Sequence, residues 1–379
     1  MNFQLTKEQE FVRKLVREFA TNEVEPLAAD IDKEHRFPVE TVEKMAKYGM
    51  MGVPFPTEYG GAGGDHISYA ITVEELSRVC ASTGVICSAH TSLCCWPIFN
   101  WGNEEQKKKY LPDLLSGKKL GAFGLTEPNA GTDAAGTQTK AVLDGDEWVL
   151  NGSKIFISGG GIADVYVIMA MTDKTKGTKG ISAFIVEKGD PGFTVPKHEN
   201  KMGIRGSIAA ELVFEDCRIP KDRLLGQEGK GFKVAMSSLD VGRLGIAAQA
   251  LGIAQGAFDE TVKYMKQRKQ FGKTLDKFQA LTFEMASMKV KIDGARYLLY
   301  DACNRRDRGL PPSVAAAEAK LACSEAASYV TNKAVQFHGG YGYIKDYPVE
   351  RMYRDSKITE IYEGTSEVMK MVMSGEIFK

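Results

Sequence analysis

The 379-residue chain has no surplus of either charge: 49 Lys+Arg stand against 49 Asp+Glu. A balanced chain has no global field for gripping nucleic acid or an anionic membrane. Its seven cysteines, Cys80, Cys87, Cys94, Cys95, Cys217, Cys303 and Cys323, form no C-x-x-C pair. That spacing suggests neither a structural zinc nor a redox dithiol. A chain this long needs no disulfide staples, so reduced thiols and a cytoplasmic location are expected. Only five histidines are present, and none is spaced for a metal. No apolar run approaches the ~20 residues of a membrane span. The N-terminus carries neither a signal-peptide pattern nor a transit-peptide composition.

Common cofactor and nucleophile motifs are missing too. Gly272-Lys273-Thr274 has Gln267 where a P-loop needs its leading glycine. Gly159-Gly160-Gly161 has Asp164 where a dinucleotide fingerprint needs its last glycine, which speaks against a nicotinamide-binding Rossmann domain. No G-x-S-x-G elbow occurs.

What is there changes period twice. Thr6-Lys7-Glu8-Gln9 is a capping box, followed by Phe11, Val12, Leu15, Val16 and Phe19 at helical spacing. Pro38 suits the first turn of another helix, and helical spacing returns over Ser68 to Val79 and Glu104 to Leu115. The middle third holds short β-branched or aromatic runs around 148–150, 165–169, 181–186 and 211–214, bounded by turn residues. Long helical patterns fill Gly231 to Arg268, Asp276 to Arg308, Ser313 to Phe337 and Thr365 to Phe378. The expectation is an α+β multidomain fold. A helical N-terminal domain (1–121) precedes a middle antiparallel β-barrel or sandwich (122–230) and a C-terminal four-helix bundle (231–379).

Three loops carry chemistry. Leu125 to Asp133 is turn-rich and can aim backbone N–H groups and hydroxyls at a ligand; by itself it is as well explained as a domain-boundary turn. Phe156-Ile157-Ser158 ends a strand with an aromatic surface and a hydroxyl, or is simply a hairpin turn. Ile361-Tyr362-Glu363-Gly364-Thr365-Ser366-Glu367 places a carboxylate just before a helix that Thr365 or Ser366 can cap. A lone loop glutamate is usually solvated; it matters only if this loop folds inward against an apolar site.

Together with Leu239-Asp240-Val241-Gly242-Arg243, Arg268-Lys269-Gln270-Phe271-Gly272 and Gln336-Phe337-His338-Gly339-Gly340-Tyr341-Gly342-Tyr343, these segments resemble the acyl-CoA dehydrogenase family over essentially the whole chain. The short-chain, butyryl-CoA members are most similar. The resemblance implies FAD bound without a Rossmann domain. It puts Phe123, Leu125, Thr126 and Thr132 along the flavin or its substrate face, and Phe156, Ile157 and Ser158 beside the isoalloxazine. The family often has Trp-Ile-Thr there, so Phe156 and Ser158 are departures that keep one aromatic and one hydroxyl. Arg268, Gln279, Gln336, Phe337, His338, Gly339 and Gly340 are implied to reach the FAD of a neighbouring subunit. Thr365, Ser366 and Glu367 are implied to contact cofactor at a helix N-terminus.

Thr132, Asp240, Arg243 and Gly364 would serve the acyl-CoA substrate. Outside the family context, Asp240 and Arg243 at i,i+3 read first as a surface ion pair. The implied assembly is a homotetramer, a dimer of dimers, exchanging electrons with an electron-transferring flavoprotein. The implied reaction removes an α-proton from a thioester while the β-hydrogen leaves as hydride to the flavin. Glu363 is the implied base. Isovaleryl and long-chain branches carry theirs immediately before the arginine of D-x-x-R, and that position is Gly242 here. Glutaryl-type members use an arginine in the N-terminal half, yet none lies between Arg78 and Arg205. Another chain length, an oxidase on the same fold and a non-catalytic binding scaffold remain as rivals.

Overall fold

The computed structural model describes residues 4–379. Among the described residues no helix is long and apolar enough to cross a membrane, no His, Cys, Asp and Glu group could hold a metal, and all seven cysteines are free and buried.

The chain opens with α1 (Lys7–Phe19), α2 (Ala28–Glu34), α3 (Val39–Lys47), α4 (His66–Val79), α5 (Ala81–Ala89), α6 (Trp96–Trp101) and α7 (Glu104–Leu115). The capping box at Thr6 and Gln9 starts α1. Val16 and Phe19 are buried and Val12 packs against them as part of the same core, but Phe11 faces solvent, so the apolar stripe leaves out its first expected member. Pro38 sits one residue earlier than expected, immediately before α3. Helix α4 is buried almost all round because it runs through the middle of the helical mass.

The sheet is built from β1 (Gly121–Gly124), β2 (Lys140–Asp144), β3 (Glu147–Ser158), β4 (Val165–Met171), β5 (Ile181–Glu187), β6 (Phe193–His198), β7 (Ala209–Pro220) and β8 (Leu224–Leu225). Its order is β6-β7-β3-β2-β4-β5-β8, with β1 beside β4. It is antiparallel as expected except where β1 and β2 each pair β4 in parallel. Two apolar clusters cover its faces. One, with Trp148, Phe184, Phe193 and Phe214, fills the sheet's own interior. The other joins β4 and β5 to α6, α7 and the start of the next helix.

That helix is α8 (Gly231–Gln267), followed by the two-residue strands β9 (Lys269–Gln270) and β10 (Lys273–Thr274), α9 (Gln279–Asp307), α10 (Ser313–His338), α11 (Val349–Ser356) and α12 (Ser366–Ile377). Alanine and glycine crowd the buried positions of α8 and alanine those of α10, so these two axes pack closely against each other, and α8 packs against α4 as well. Gly252 and Gly256 meet the α4 backbone, where any Cβ would collide with carbonyls. The tight crossing anchors the end of α10 and the connection into α12, which carries Glu363.

Candidate active site

The connection turns sharply. Glu363 has φ 53° and Gly364 φ 100°, two consecutive left-handed residues. Glycine takes this conformation freely; glutamate pays roughly 1–2 kcal/mol for it. The turn is held from three sides. Arg243 Nε on α8 donates to the Glu363 carbonyl at 3.3 Å. Lys320 Nζ on α10 donates to the Gly364 carbonyl at 2.7 Å. The Tyr362 hydroxyl donates to Gln249 Oε1. Thr365 then caps α12 through the Val368 N–H.

The result folds Glu363 inward. Its Oε2 is buried without a hydrogen-bond partner. Burial pushes its carboxyl up to about 8, against the pull of Arg243 and Lys320. A Cβ built on Gly242 would overlap this carboxylate. Position 242 and the Glu363 carboxylate therefore converge on one volume, and the carboxylate fits here only because Gly242 has no side chain. Gly245, one turn along α8, similarly lets the buried Tyr69 and Ser88 hydroxyls approach.

Asp240 and Arg243 do pair, Oδ1 to Nη1 at 2.8 Å, but not as a surface ion pair. Both are largely buried, Asp240 accepts from Ser313 Oγ at 2.6 Å, and the guanidinium is aimed at the Glu363 turn. Asp240, Arg243, Glu363, Gly364 and Thr365 thus form one cluster.

Phe123, Leu125, Thr126 and Phe156, Ile157, Ser158 form a second. The Ile155 N–H donates to the Thr126 carbonyl at 2.9 Å and ties the loop to β3. A register shift between Lys154 and Ile157 makes a bulge in which Phe156 takes φ 58°. A bulge re-aims a side chain, and the Phe156 ring is 63% exposed. Phe123, Leu125 and Ile157 are buried behind it, Ser158 is half-buried and Thr132 is exposed.

Arg268, Phe337, His338, Gly339 and Gly340 make a third, separate place. With Tyr264 and Tyr341 they line a groove of about 470 Å³. The Arg268 guanidinium lies 5.3 Å over the Tyr341 ring. His338 stacks on Tyr264 at 4.1 Å and donates from Nδ1 to the Ala334 carbonyl at 2.8 Å. Gln279, Gln336 and Glu367 are exposed, and neither glutamine lines the groove.

An FAD suits this donor set. An exposed aromatic ring at a strained bulge offers a face for a flat heterocycle. The Ser366 hydroxyl at the start of α12 is buried without a partner, and Arg268 supplies a fork for a pyrophosphate.

Models of the acyl-CoA dehydrogenase N-terminal, middle and C-terminal domains match residues 6–118, 122–217 and 229–378. The chain belongs to the acyl-CoA dehydrogenase family. It is 64% identical to a short-chain-specific acyl-CoA dehydrogenase of Clostridium acetobutylicum, over the full length of both. The butyryl-CoA dehydrogenase of Megasphaera elsdenii superposes with a TM-score of 0.98 at 50% identity, covering all of both chains. A chain solved in work on the electron transferring flavoprotein of Acidaminococcus fermentans and flavin-based electron bifurcation gives 0.99 at 54% identity, again with full coverage of both.

Three residues of these clusters escape sequence reasoning. Lys320 falls on the buried stripe Ala316, Lys320, Cys323, Ala327 of α10, where a lysine on an alanine face is the available signal. Lys154 continues the inward alternation of Trp148 and Leu150 in β3. Its Nζ donates to the Leu125 carbonyl at 3.0 Å and pairs with Glu127 Oε1 at 2.7 Å. Glu127 in turn accepts from the Gln138 and Thr139 N–H groups, so this pair holds the 125–127 loop.

Proposed function

We propose that this chain catalyses FAD-dependent α,β-dehydrogenation of short-chain acyl-CoA thioesters, butyryl-CoA to crotonyl-CoA or the reverse, with Glu363 as the base at the α-carbon. The carrying observation is the Glu363 carboxylate, desolvated and with a free Oε2. A weakly acidic thioester α-proton needs a base whose affinity for protons is raised by burial. The Glu363 N–H has no acceptor among the described residues, which leaves it free to donate to a substrate carbonyl as enolate charge develops. Bound FAD supplies the hydride acceptor. Arg243 and Asp240 hold the base's loop and face the CoA side, while Gly364 removes bulk beside it.

The proposed assembly is a homotetramer in which Arg268 and the groove residues of one subunit complete the FAD site of another. Phe283, Val290 and Tyr297 support it: spaced seven apart on α9, they are exposed as one apolar stripe. Electrons pass to or from an electron-transferring flavoprotein. Seven free thiols fit a cytoplasmic setting. The domain limits proposed are 1–121, 122–230 and 231–379.

Anaerobic titration with butyryl-CoA should bleach the flavin of the wild type. Glu363→Gln should keep its flavin and lose at least ~10³-fold in turnover. Near-normal turnover in that variant would remove Glu363 from the base's role. Peroxide formed stoichiometrically in air would instead favour an oxidase.

A further inference from the structure

Two cations reach the turn that carries the base, and the assignment so far employs one. Lys320 is completely buried on α10. Its amine has one direct partner, the Gly364 carbonyl, and no carboxylate in contact among the described residues. A buried ammonium without a counter-ion is costly, and a packing role would be served as well by leucine or methionine. Burial lowers the proton affinity of the Lys320 amine; against it, Glu363 gives the charge its main support, Glu360 and Glu367 lesser support, and Arg243 opposes it.

We propose that Lys320 is a positioning residue for α-proton abstraction: its grip on the Gly364 carbonyl fixes the C-terminal side of the left-handed Glu363–Gly364 turn, and its amine keeps a positive charge near the carboxylate. The inference rests on Glu363 being the base. Arg243 holds the carbonyl of Glu363 and Lys320 holds the next one along the chain, so neither peptide flanking Gly364 can rotate without breaking its bond. Loss of either bond frees the turn from which the Glu363 side chain projects.

The groups that face Glu363 are Arg243 and its partner Asp240 on α8, Lys320 on α10, Tyr69 on α4, and Tyr362 on its own segment. Lys320 and Arg243 are the cations among them. With Lys320 uncharged, the carboxylate holds its proton to higher pH. The ionised, active base then appears later as pH rises.

The test uses the FAD-loaded enzyme and butyryl-CoA, with Lys320→Met, Glu363→Gln and the double variant. Lys320→Met should bind FAD, lower kcat about tenfold at neutral pH with KM within about twofold, and move the acid limb of the kcat profile up by about 0.5–1 pH unit. Activity should recover toward high pH. The double variant should be no slower than Glu363→Gln alone, because a residue acting through Glu363 has nothing left to act on. An unmoved pH profile in Lys320→Met, with Glu363→Gln inactive, would overturn the role of Lys320 and leave Glu363 as base. An active Glu363→Gln would instead overturn the base assignment. Should Lys320→Met lose flavin, Lys320→Gln keeps a donor without the charge and should show the same profile shift. Misfolding of both would make Lys320 a structural residue and overturn the proposal.

Discussion

Among the described residues two lysines are buried completely, Lys154 in the sheet and Lys320 in the helix bundle. Burial drives both amines down to about 8. Both donate to a backbone carbonyl of a loop that carries candidate site residues, Leu125 in one case and Gly364 in the other. The difference lies in the counter-charge. Lys154 has Glu127 in contact, and Glu127 is itself fed by two backbone N–H groups. That region is electrostatically closed, and its carboxyl is held below the ordinary range, the cation and N–H donors outweighing burial. Lys320 has a carbonyl in contact and a carboxylate only nearby, so Glu363 stays above the ordinary range. A satisfied pair holds a wall in place; an incompletely satisfied one leaves a proton acceptor.

The comparison breaks most easily at the closed pair. Lys154→Met strands Glu127 in an apolar interior and should cost about 3–5 kcal/mol, with loss of flavin as the 125–127 loop detaches. Adding Glu127→Leu should recover much of that stability without restoring flavin. Denaturant unfolding followed beside flavin absorbance checks both, and a single variant as mild as the double would show that Glu127 is not dependent on Lys154. Next in size is Arg268→Ala, which should lose FAD and weaken the oligomer together. Gel filtration and flavin content measure it; a full complement of flavin on an isolated monomer would remove the shared site.

The closed region was also the less legible one. Helix limits in the C-terminal third follow the sequence closely; in α10 a long alanine-rich stripe bounded by Pro312 and Gly339 leaves little choice. Glu363, Arg243 and Asp240 converge as motif order implies. Neither buried lysine is legible in the same way. A lysine on a strand or helix is ordinarily solvated, and nothing local reveals that Leu125 and Gly364 will deliver carbonyls to it from 29 and 44 residues away. Helix α11 is missed for a related reason. Its eight residues carry Glu350, Arg351, Arg354 and Asp355, which look solvated, yet Arg354 pairs with Asp32 across the fold and Asp355 accepts the Ile204 N–H. The parallel pairings of β4 arise similarly, from which strands tertiary packing brings alongside rather than from any residue in them.

The smallest effect sharpens the comparison at the open site, and its sign follows from the proton. Glu363 takes up its proton near 8 in the folded chain, against 4.5 for an ordinary glutamate. The folded state therefore binds that proton more tightly than the unfolded one, and the stability this contributes is complete below pH 4.5 and drains away up to pH 8. Glutamine has nothing to titrate. Glu363→Gln should accordingly melt close to wild type at about pH 5 and progressively above it toward pH 8, by about 2 °C or more, with no further divergence at higher pH. A parallel pair of melting curves across this range would mean that water reaches the carboxylate and that burial does not set its charge. For Glu127, whose carboxyl is held down, the same reasoning runs in reverse: its stabilisation is present at neutral pH and is lost only on acidification below the ordinary carboxylate range. Opposite pH slopes from two buried glutamates, each near a buried lysine, would separate the pair that holds the fold from the one that moves a proton.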